Sequence, residues 1–219
     1  MRIAELFSFL RELKSHNNKE WFEKNKADYQ ELRKEFIGFV STVLESLSKL
    51  DARFGQMEAS KSIFRINRDV RFSKNKDPYK TNFGMNLNLT GKKEEFCGFY
   101  LHLEPGNTFF AGGIYLPPSA SLQAIRQEID YNGEEFLKIV ESKKFKSEFG
   151  SLVGDKLTRP PKGYDLDNPM IEYLKMKSFI AEKRFNEEEF SEEILLKTVV
   201  DSAKILMPLN NFILRSINS

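Results

Sequence analysis

The sequence is poor in the residues that build disulfides, metal centres and nucleophilic dyads. It has one cysteine, Cys97, and two histidines, His16 and His102, among 219 residues. One cysteine cannot form an internal disulfide, and such sparing use is typical of a reducing compartment, so we expect a cytoplasmic protein. Neither histidine has Cys, Asp or Glu neighbours at the spacing of zinc ligands. We therefore predict neither a metal nor a cofactor.

Long apolar runs are also missing. No segment approaches the ~20 consecutive apolar residues that span a bilayer, and residues 1–16 contain no uninterrupted apolar stretch like that of a signal peptide. We therefore expect no membrane partner. The formal net charge is only +2, which by itself is too small to indicate binding to nucleic acid or to a membrane surface. The composition leaves the oligomeric state open.

The overall composition is that of a globular protein. Hydrophobic residues make up 40% of the chain and charged residues 30%. A chain of this length can bury roughly 70% of its unfolded surface in one core. No internal repeat and no low-complexity linker divides it, so we predict a single domain over residues 1–219.

Apolar residues at helical spacing predict an N-terminal helical hairpin. The first helix covers Ile3–Lys14, and Asn18 is a suitable N-cap for a second, longer helix that keeps its period to about Leu50. A final helix is predicted over Ser191–Ser216, kinked or broken near Pro208.

In the middle of the chain a two-residue repeat of apolar residues replaces the helical period. Four segments joined by short connections predict strands, and they are Ser62–Phe72, Phe83–Leu89, Phe96–Leu103 and Thr108–Leu116. The segment "KSFIAEKRF" can add a fifth strand. We predict an α+β fold, with an antiparallel sheet of about four to five strands flanked by the helical hairpin and by C-terminal helices.

The strongest local charge lies in residues 61–80, where seven Lys or Arg residues stand against two acids, a net of +5. On a strand, Arg65 and Arg71 share one face with Asp69, whereas Arg68 falls among apolar residues. A guanidinium group on an apolar face is costly unless it is paired or exposed. We therefore expect either a bulge in this strand or a carboxylate or ligand oxyanion beside Arg68.

The first functional hypothesis is a small anionic ligand, bearing phosphate or carboxylate, in an Arg-rich pocket. Planar guanidinium groups hold such oxyanions in a forked geometry. The candidate ligand-binding residues are Arg65, Arg68, Arg71, Tyr79, Lys80 and Arg126, the last from the helix that follows the sheet. The structural alternative is that Asp69 and a distant glutamate hold the arginines in ion pairs.

Two further functions stay open. The first is an enzyme in which Asp69 is the candidate catalytic residue, acting as general base or acid while the arginines clamp an oxyanion. The second is a protein-interaction module whose contact is the acidic segment "NEEEFSEE" (186–193) or the basic turn.

The pattern argues against nucleic acid as a partner without excluding it. Contacts with bases need exposed aromatic side chains as well as cations. The alternation places Phe64, Phe72 and Phe83 in the core, which leaves Tyr79 as the one aromatic residue expected at the surface of this region.

A Cys/His dyad is not expected either. On its strand, His102 shares a face with Phe96, Gly98 and Tyr100, whereas Cys97 points to the opposite face. We therefore expect His102 to be a structural histidine with satisfied hydrogen bonds.

Four segments resemble, in order, the motifs of the bacterial and fungal family called domain of unknown function 2461. They are "NNKEWFEKNKADY", "RINRDVRFSKNKDPYKTNFG", "GFYLHLEPGNTFFAGGIYLPP" with the following "LQAIRQEI", and "RPPKGYDLDNPMIEYLKMKSF". The resemblance extends from about Ile3 to Ile217, and its central motif is long and specific. It implies no activity, substrate or cofactor.

The resemblance carries over a short set of positions. They are Trp21, Phe22, Arg65, Arg68, Asp69, Arg71, Phe72, Tyr79, Lys80, Gly113 and Arg126. One position departs from the pattern, because the family motif commonly has Asp where this sequence has Asn75. The departure speaks against a carboxylate at position 75 as a base or metal ligand, and Asp77 is the nearby substitute.

Overall fold

The structure is a computed structural model, which describes residues 1–91, 95–186 and 191–218. In these ranges the chain forms eight α-helices, two 3-10 helices and four β-strands. The α-helices are α1 (Ile3–Ser15), α2 (Lys19–Lys24), α3 (Lys26–Ser48), α4 (Ser119–Tyr131), α5 (Gly133–Val140), α6 (Lys143–Phe149), α7 (Ile171–Leu174) and α8 (Glu192–Asn218). The 3-10 helices are Ala52–Gln56 and Ala59–Lys61, and the strands are β1 (Phe83–Asn88), β2 (Cys97–Leu103), β3 (Thr108–Ile114) and β4 (Phe179–Phe185).

The four strands form one antiparallel sheet in the order β1-β2-β3-β4. The first three follow one another directly, and β4 returns to the sheet after helices α4 to α7. Between β2 and β3 the chain turns where Asn107 N donates to Glu104 O at 3.0 Å, and Gly106 supplies the positive φ of +75°. The predicted α+β fold is confirmed, with four strands in the sheet.

The chain divides into two compact units. Unit 1 comprises residues 1–87, 100–110 and 184–201, and unit 2 comprises residues 88–99, 111–183 and 202–219. Each unit draws on distant parts of the sequence, so the division does not follow a linker. The single domain over residues 1–219 stays a prediction.

Helices α1 to α3 of unit 1 bury the apolar stripes that their spacing predicts, including Leu10 and Phe36 at 0% exposure. Asn18 caps α2, since its Oδ1 accepts a hydrogen bond from Trp21 N at 3.0 Å. The prediction of one continuous helix from Asn18 to Leu50 is wrong, because the helix is interrupted at Asn25. There the side-chain Nδ2 of Asn25 donates to Trp21 O at 2.8 Å and ends the shorter helix.

The predicted strand Ser62–Phe72 does not form. Only isolated antiparallel bridges occur in this stretch, Ile63 with Met85 and Asn67 with Tyr79. Phe64 N still donates to Gly84 O of β1 at 3.0 Å, and beyond Phe64 the chain leaves the edge of β1 and pairs with its own continuation. The alternating apolar and polar residues of 62–72 therefore do not form a buried and an exposed strand face.

Helix α8 runs over Glu192–Asn218 and contains Pro208, so of the two predicted alternatives the break is wrong and the kink stays a prediction. Proline removes one backbone donor from a helix. Leu206 and Leu209, on either side of Pro208, are completely buried, and their packing holds the helix together across that position.

None of the helices in the described ranges is long and apolar enough to cross a membrane.

In unit 2, Gly113 allows strands β3 and β4 to approach closely. Its φ is +120°, a conformation that other residues rarely adopt. A Cβ atom at this position would collide with the backbone carbonyl of Phe179 in β4. The neighbouring backbone thus accounts for the absence of a side chain at Gly113.

We expect Gly113→Ala to lower the free energy of unfolding by roughly 2–6 kcal/mol. Backbone strain contributes about 1–3 kcal/mol and the steric clash about as much again. Gly38→Ala in α3 is the matched control, because no atom lies within 4 Å of the added methyl group. It should be neutral or stabilise the helix by up to about 1 kcal/mol. Urea unfolding of both variants checks the prediction, and similar effects of the two substitutions would contradict it.

Candidate functional site

The basic segment (residues 61–80) folds back on itself in unit 1. Arg68 N donates to Pro78 O at 2.9 Å, and Lys80 N donates to Ile66 O at 2.8 Å. Together with the bridge between Asn67 and Tyr79, these bonds form a short ladder. Residues 69–77 form the loop beyond that ladder.

The loop itself holds Arg68. One guanidinium nitrogen donates to the backbone carbonyl of Asp77 at 3.2 Å, and the other lies 3.4 Å from the hydroxyl of Ser73. Two oxygens of the loop thus accept hydrogen bonds from the Arg68 guanidinium group. Its hydrogen bonding therefore requires neither the carboxylate nor the ligand oxyanion that the sequence suggested. Arg68 therefore has a structural role in shaping the loop.

Arg71 forms a bidentate ion pair with Asp69. The Nε–Oδ1 distance is 2.9 Å and the Nη2–Oδ2 distance is 2.7 Å. These hydrogen bonds lower the pKa of Asp69, with a smaller contribution from the charge of Arg65. For Arg71, the structure matches the ion-pair alternative. Asp69 is thereby held as a carboxylate with both oxygens engaged, an unfavourable state for a general acid or base.

Tyr79 is buried, so the prediction that it is the exposed aromatic residue of this region is wrong. Its ring stacks on Phe22, with a centroid distance of 4.0 Å and an interplanar angle of 18°. Asn17 binds its backbone twice, because Nδ2 donates to Tyr79 O at 3.0 Å and Oδ1 accepts from Tyr79 N at 3.1 Å. Burial, and then the charge of Glu23, raise the pKa of the Tyr79 phenol.

The exposed aromatic residues of the basic segment are Phe72 and Phe64, at 95% and 42% exposure, so their expected place in the core is wrong. Each ring has a cation beside it. Arg71 Cζ lies 5.8 Å from the centroid of Phe72, and Lys80 Nζ lies 4.9 Å from that of Phe64. Burial, and then the charge of Arg65, lower the pKa of Lys80.

Arg65 opens onto a cleft of about 440 Å³ in unit 1, which we call the basic cleft. One wall includes Ile63, Arg65, Ile66 and Asn67, and the other includes side chains of α2 and α3. Helix α3 supplies Arg33 and Lys26, and Tyr79 also lines the cleft. Lys26 is paired with Glu23, with an Nζ–Oε2 distance of 3.0 Å.

Arg126 belongs to unit 2, where it binds backbone carbonyls. Its Nε donates to Leu174 O at 2.6 Å and its Nη2 donates to Met176 O at 3.1 Å. Burial lowers its pKa, and the charge of Tyr164 opposes that shift. Arg126 thereby ties α4 to the chain that leads into β4.

Sequence reasoning missed a polar chain formed by Tyr100 and His102 of β2 and by Glu104, which directly follows the strand. The Tyr100 hydroxyl lies 2.7 Å from His102 Nδ1, and His102 Nε2 lies 3.1 Å from Glu104 Oε2. The signal was present in the sequence, because alternate residues of a strand share one face. It does not resemble a metal-ligand pattern, since a hydrogen-bonded series at i, i+2 and i+4 includes a tyrosine and only one histidine.

The described residues contain no group of three or more His, Cys, Asp and Glu side chains arranged to hold a metal ion. Cys97 is buried in unit 2 with its Sγ 3.8 Å from Asn210 Oδ1. Half of the acidic segment "NEEEFSEE" lies outside the described residues, because they omit 187–190. The interaction-module hypothesis for that segment therefore stays a prediction.

These features define a class of protein, an α+β chain with a four-stranded antiparallel sheet and a basic cleft beside its N-terminal helices. The chain belongs to the conserved hypothetical protein family DUF2461, whose sequence model matches residues 5–212. This match confirms the resemblance of its motifs to that family. Comparisons with curated proteins and with solved structures find no match.

We expect Asn17→Ala to release the basic segment from the start of α2. The substitution leaves the backbone groups of Tyr79 without their partner, at a cost of about 1–3 kcal/mol in the free energy of unfolding. Amide hydrogen exchange should become faster at Tyr79 and its neighbours. Asn75→Ala is the control, since Asn75 Oδ1 accepts from Asp77 N at 2.7 Å within the exposed loop. Equal losses of stability in the two variants would contradict the anchoring role of Asn17.

Proposed function

We propose that the protein binds a small ligand bearing a phosphate or carboxylate group in the basic cleft. The supporting observation is that Arg33 and Arg65 line the same cleft, and neither forms an ion pair with a carboxylate in residues 1–91, 95–186 or 191–218. Two cations that face one cleft repel each other, and a bound anion replaces this repulsion with attraction. Forked guanidinium groups suit phosphate and carboxylate in particular.

The size and walls of the cleft support a small ligand. Its volume of about 440 Å³ lies within the range of roughly 300–1,000 Å³ that small-molecule sites occupy. Tyr29 and Tyr79 supply aromatic surface. Burial raises the pKa of Tyr29 although the charge of Arg33 opposes the shift, so that its phenol stays protonated at neutral pH and can donate a hydrogen bond.

The proposal narrows the set of ligand-binding residues. Of the six predicted from the sequence, Arg65 and Tyr79 line the cleft, whereas Arg68 and Arg71 have partners in their own loop. Helix α3 contributes Arg33 and Lys26, which lie far from the basic segment in sequence. An enzyme that uses Asp69 is less well supported, because both oxygens of that carboxylate bind Arg71.

We expect phosphate, sulfate or a nucleoside phosphate at millimolar concentration to raise the melting temperature of the wild-type protein. A ligand at about 100 times its Kd stabilises the folded state by about 2.7 kcal/mol, which corresponds to roughly 5–10 °C for a chain of this size. The double variant Arg33→Ala, Arg65→Ala should lose most of this shift. The shift in melting temperature is measured by thermal unfolding with each anion and, for reference, with chloride at equal ionic strength.

The matched control removes the same charge outside the cleft, in the double variant Arg71→Ala, Lys74→Ala. It should keep the full shift, because neither residue lines the cleft. Equal losses in the two double variants would show a general effect of charge and would overturn the proposed site. No shift in the wild-type protein with any of these anions would overturn the proposal as well.

Single-stranded nucleic acid is a second candidate ligand, favoured by one specific observation. Phe72 and Phe64 are exposed, and each has a cation beside its ring. Contacts with single strands combine aromatic stacking on bases with cations on phosphates. The exposed rings remove the main objection to nucleic acid, which was the expected place of these phenylalanines in the core.

We expect Phe72→Ala to weaken binding of a fluorescein-labelled oligo(dT) by about 5–100-fold, since base stacking contributes about 1–3 kcal/mol. Fluorescence anisotropy at several salt concentrations measures the affinity, which should fall as salt rises. Leu166→Ala is the control, because Leu166 is 72% exposed and lies in unit 2. Binding that is absent in the wild-type protein, or unchanged in Phe72→Ala, would rule this candidate out.

A further inference from the structure

The polar chain of Tyr100, His102 and Glu104 lies in unit 1, outside the basic cleft, with Tyr100 and His102 on one face of β2 and Glu104 directly after the strand. Alternate residues place the three side chains together, whereas Leu101 and Leu103 between them are completely buried on the opposite face. The hydrogen bonds run in series from the phenol through the imidazole to the carboxylate, at 2.7 Å and 3.1 Å. None of the three residues lines the basic cleft, so the polar chain is a separate site.

Glu104 is fixed as a carboxylate at the end of the polar chain opposite to Tyr100. Thr81 Oγ1 donates to Glu104 Oε1 at 2.6 Å, and Asn107 Nδ2 lies 3.2 Å from Oε2. Burial alone would raise the pKa of Glu104, but the hydrogen bonds from Thr81, His102 and Asn107 together lower it. A carboxylate that is held on both oxygens can orient a neighbouring imidazole.

The partners of His102 determine its tautomer. A carboxylate only accepts hydrogen bonds, so Nε2 carries the proton that points to Glu104. Nδ1 then has a lone pair, and it faces two donors, the Tyr100 hydroxyl at 2.7 Å and Asn82 Nδ2 at 3.4 Å. The phenol proton of Tyr100 is therefore directed at Nδ1, which leaves the phenol oxygen with lone pairs for a ligand.

The Tyr100 ring packs edge-on against the apolar rings of Phe64 and Phe109, and the absence of a side chain at Gly84 allows this packing. A Cβ atom at Gly84 would lie 2.9 Å from Phe64 Cδ2 and 3.2 Å from the Tyr100 hydroxyl, so a larger residue would displace one of them. The ring of Phe109 stacks on His102 at 4.9 Å. Burial, and then the charge of Glu104, raise the pKa of Tyr100 to about 12. At neutral pH the phenol thus stays protonated, and it can pass a proton on.

Cations lie beside the two phenylalanine rings, Phe64 and Phe109, that pack against Tyr100. Lys80 Nζ is 4.9 Å from the centroid of Phe64, and Arg184 Cζ is 5.8 Å from that of Phe109. Arg184 also donates to Asn107 Oδ1 at 3.0 Å. Positive charge near a weakly solvated site stabilises negative charge that develops on a reacting oxygen.

We propose that Tyr100, His102 and Glu104 form an acid–base site that activates water for attack on small ester-type carbonyl compounds. Tyr100 is the catalytic residue in contact with the water, His102 receives the proton, and Glu104 is a positioning residue. The arrangement follows the logic of a nucleophile, a base and an orienting carboxylate, with water as the nucleophile.

The proposed step balances without any further reactant. One O–H bond of water breaks and its proton goes to the phenol oxygen, while the former phenol proton goes to His102 Nδ1. The water oxygen forms a bond to the carbonyl carbon. The C–O bond to the leaving alcohol then breaks, and the proton returns by the same route, so that ester and water give acid and alcohol.

The test is hydrolysis of p-nitrophenyl acetate by the full chain, followed by the release of p-nitrophenol. We expect Tyr100→Phe and His102→Asn to reduce the rate by about 10²-fold or more, the usual scale of general acid–base catalysis. Tyr100→Phe keeps the ring and removes only the hydroxyl, so it covers the case in which His102→Asn fails to fold. His16→Asn is the matched control: the only other histidine is exposed on the C-terminal side of α1, and its loss should leave the rate unchanged.

Glu104→Gln needs a measurement that distinguishes loss of the positioning role from a general loss of structure. Long-range ¹H–¹⁵N NMR correlations should show the proton of His102 on Nε2 in the wild-type protein, with a mixture of tautomers in Glu104→Gln and a slower reaction. A wild-type rate no higher than that of Tyr100→Phe would overturn the proposal. So would loss of the rate in His16→Asn, or an Nδ1 proton on wild-type His102.

Discussion

The basic cleft and the basic segment depend on one contact, the paired hydrogen bonds between the Asn17 amide and the backbone of Tyr79. They attach the basic segment to the start of α2, and the stacking of Tyr79 on Phe22 adds apolar contact at the same place. Because the ladder from Ile66 to Lys80 passes through this attachment, it sets the positions of Arg65 in the basic cleft and of Lys80 above Phe64. One side-chain amide thus positions both Arg65 and Lys80 relative to the N-terminal helices.

The fold divides the cations of the basic segment between two tasks. Arg68 and Arg71 stabilise their own loop through a carbonyl, a hydroxyl and the carboxylate of Asp69. Arg65 lines the cleft, where helix α3 adds Arg33. A high local charge is therefore a poor measure of binding capacity, since part of it is used within the loop. What matters is which guanidinium groups share a cavity and are not already paired with a carboxylate of the protein.

The two candidate sites have different physical characters. The basic cleft is open and lined by groups that carry fixed charge, so it suits recognition of an anion. The polar chain on β2 is half-buried and ordered by hydrogen bonds, so it suits the transfer of a proton. A strand supports such a chain well, because its backbone fixes the spacing of alternate side chains while the opposite face is held in the core.

The sequence by itself determined the α+β class, the cap at Asn18, the strand character of β1 to β3 and the face that His102 occupies, because these follow from local spacing. The tertiary structure alone decided the exposure of Phe72 and the burial of Tyr79. Alternation in residues 62–72 predicted a strand, but a strand also needs a partner along its length, and this segment pairs with its own continuation. Arg33 could not have been assigned to the cleft in advance, since it stands 32 positions before Arg65 and only packing brings helix and segment together. Local periodicity depends on neighbouring residues, whereas the lining of the cleft depends on contacts between residues that are far apart in the sequence.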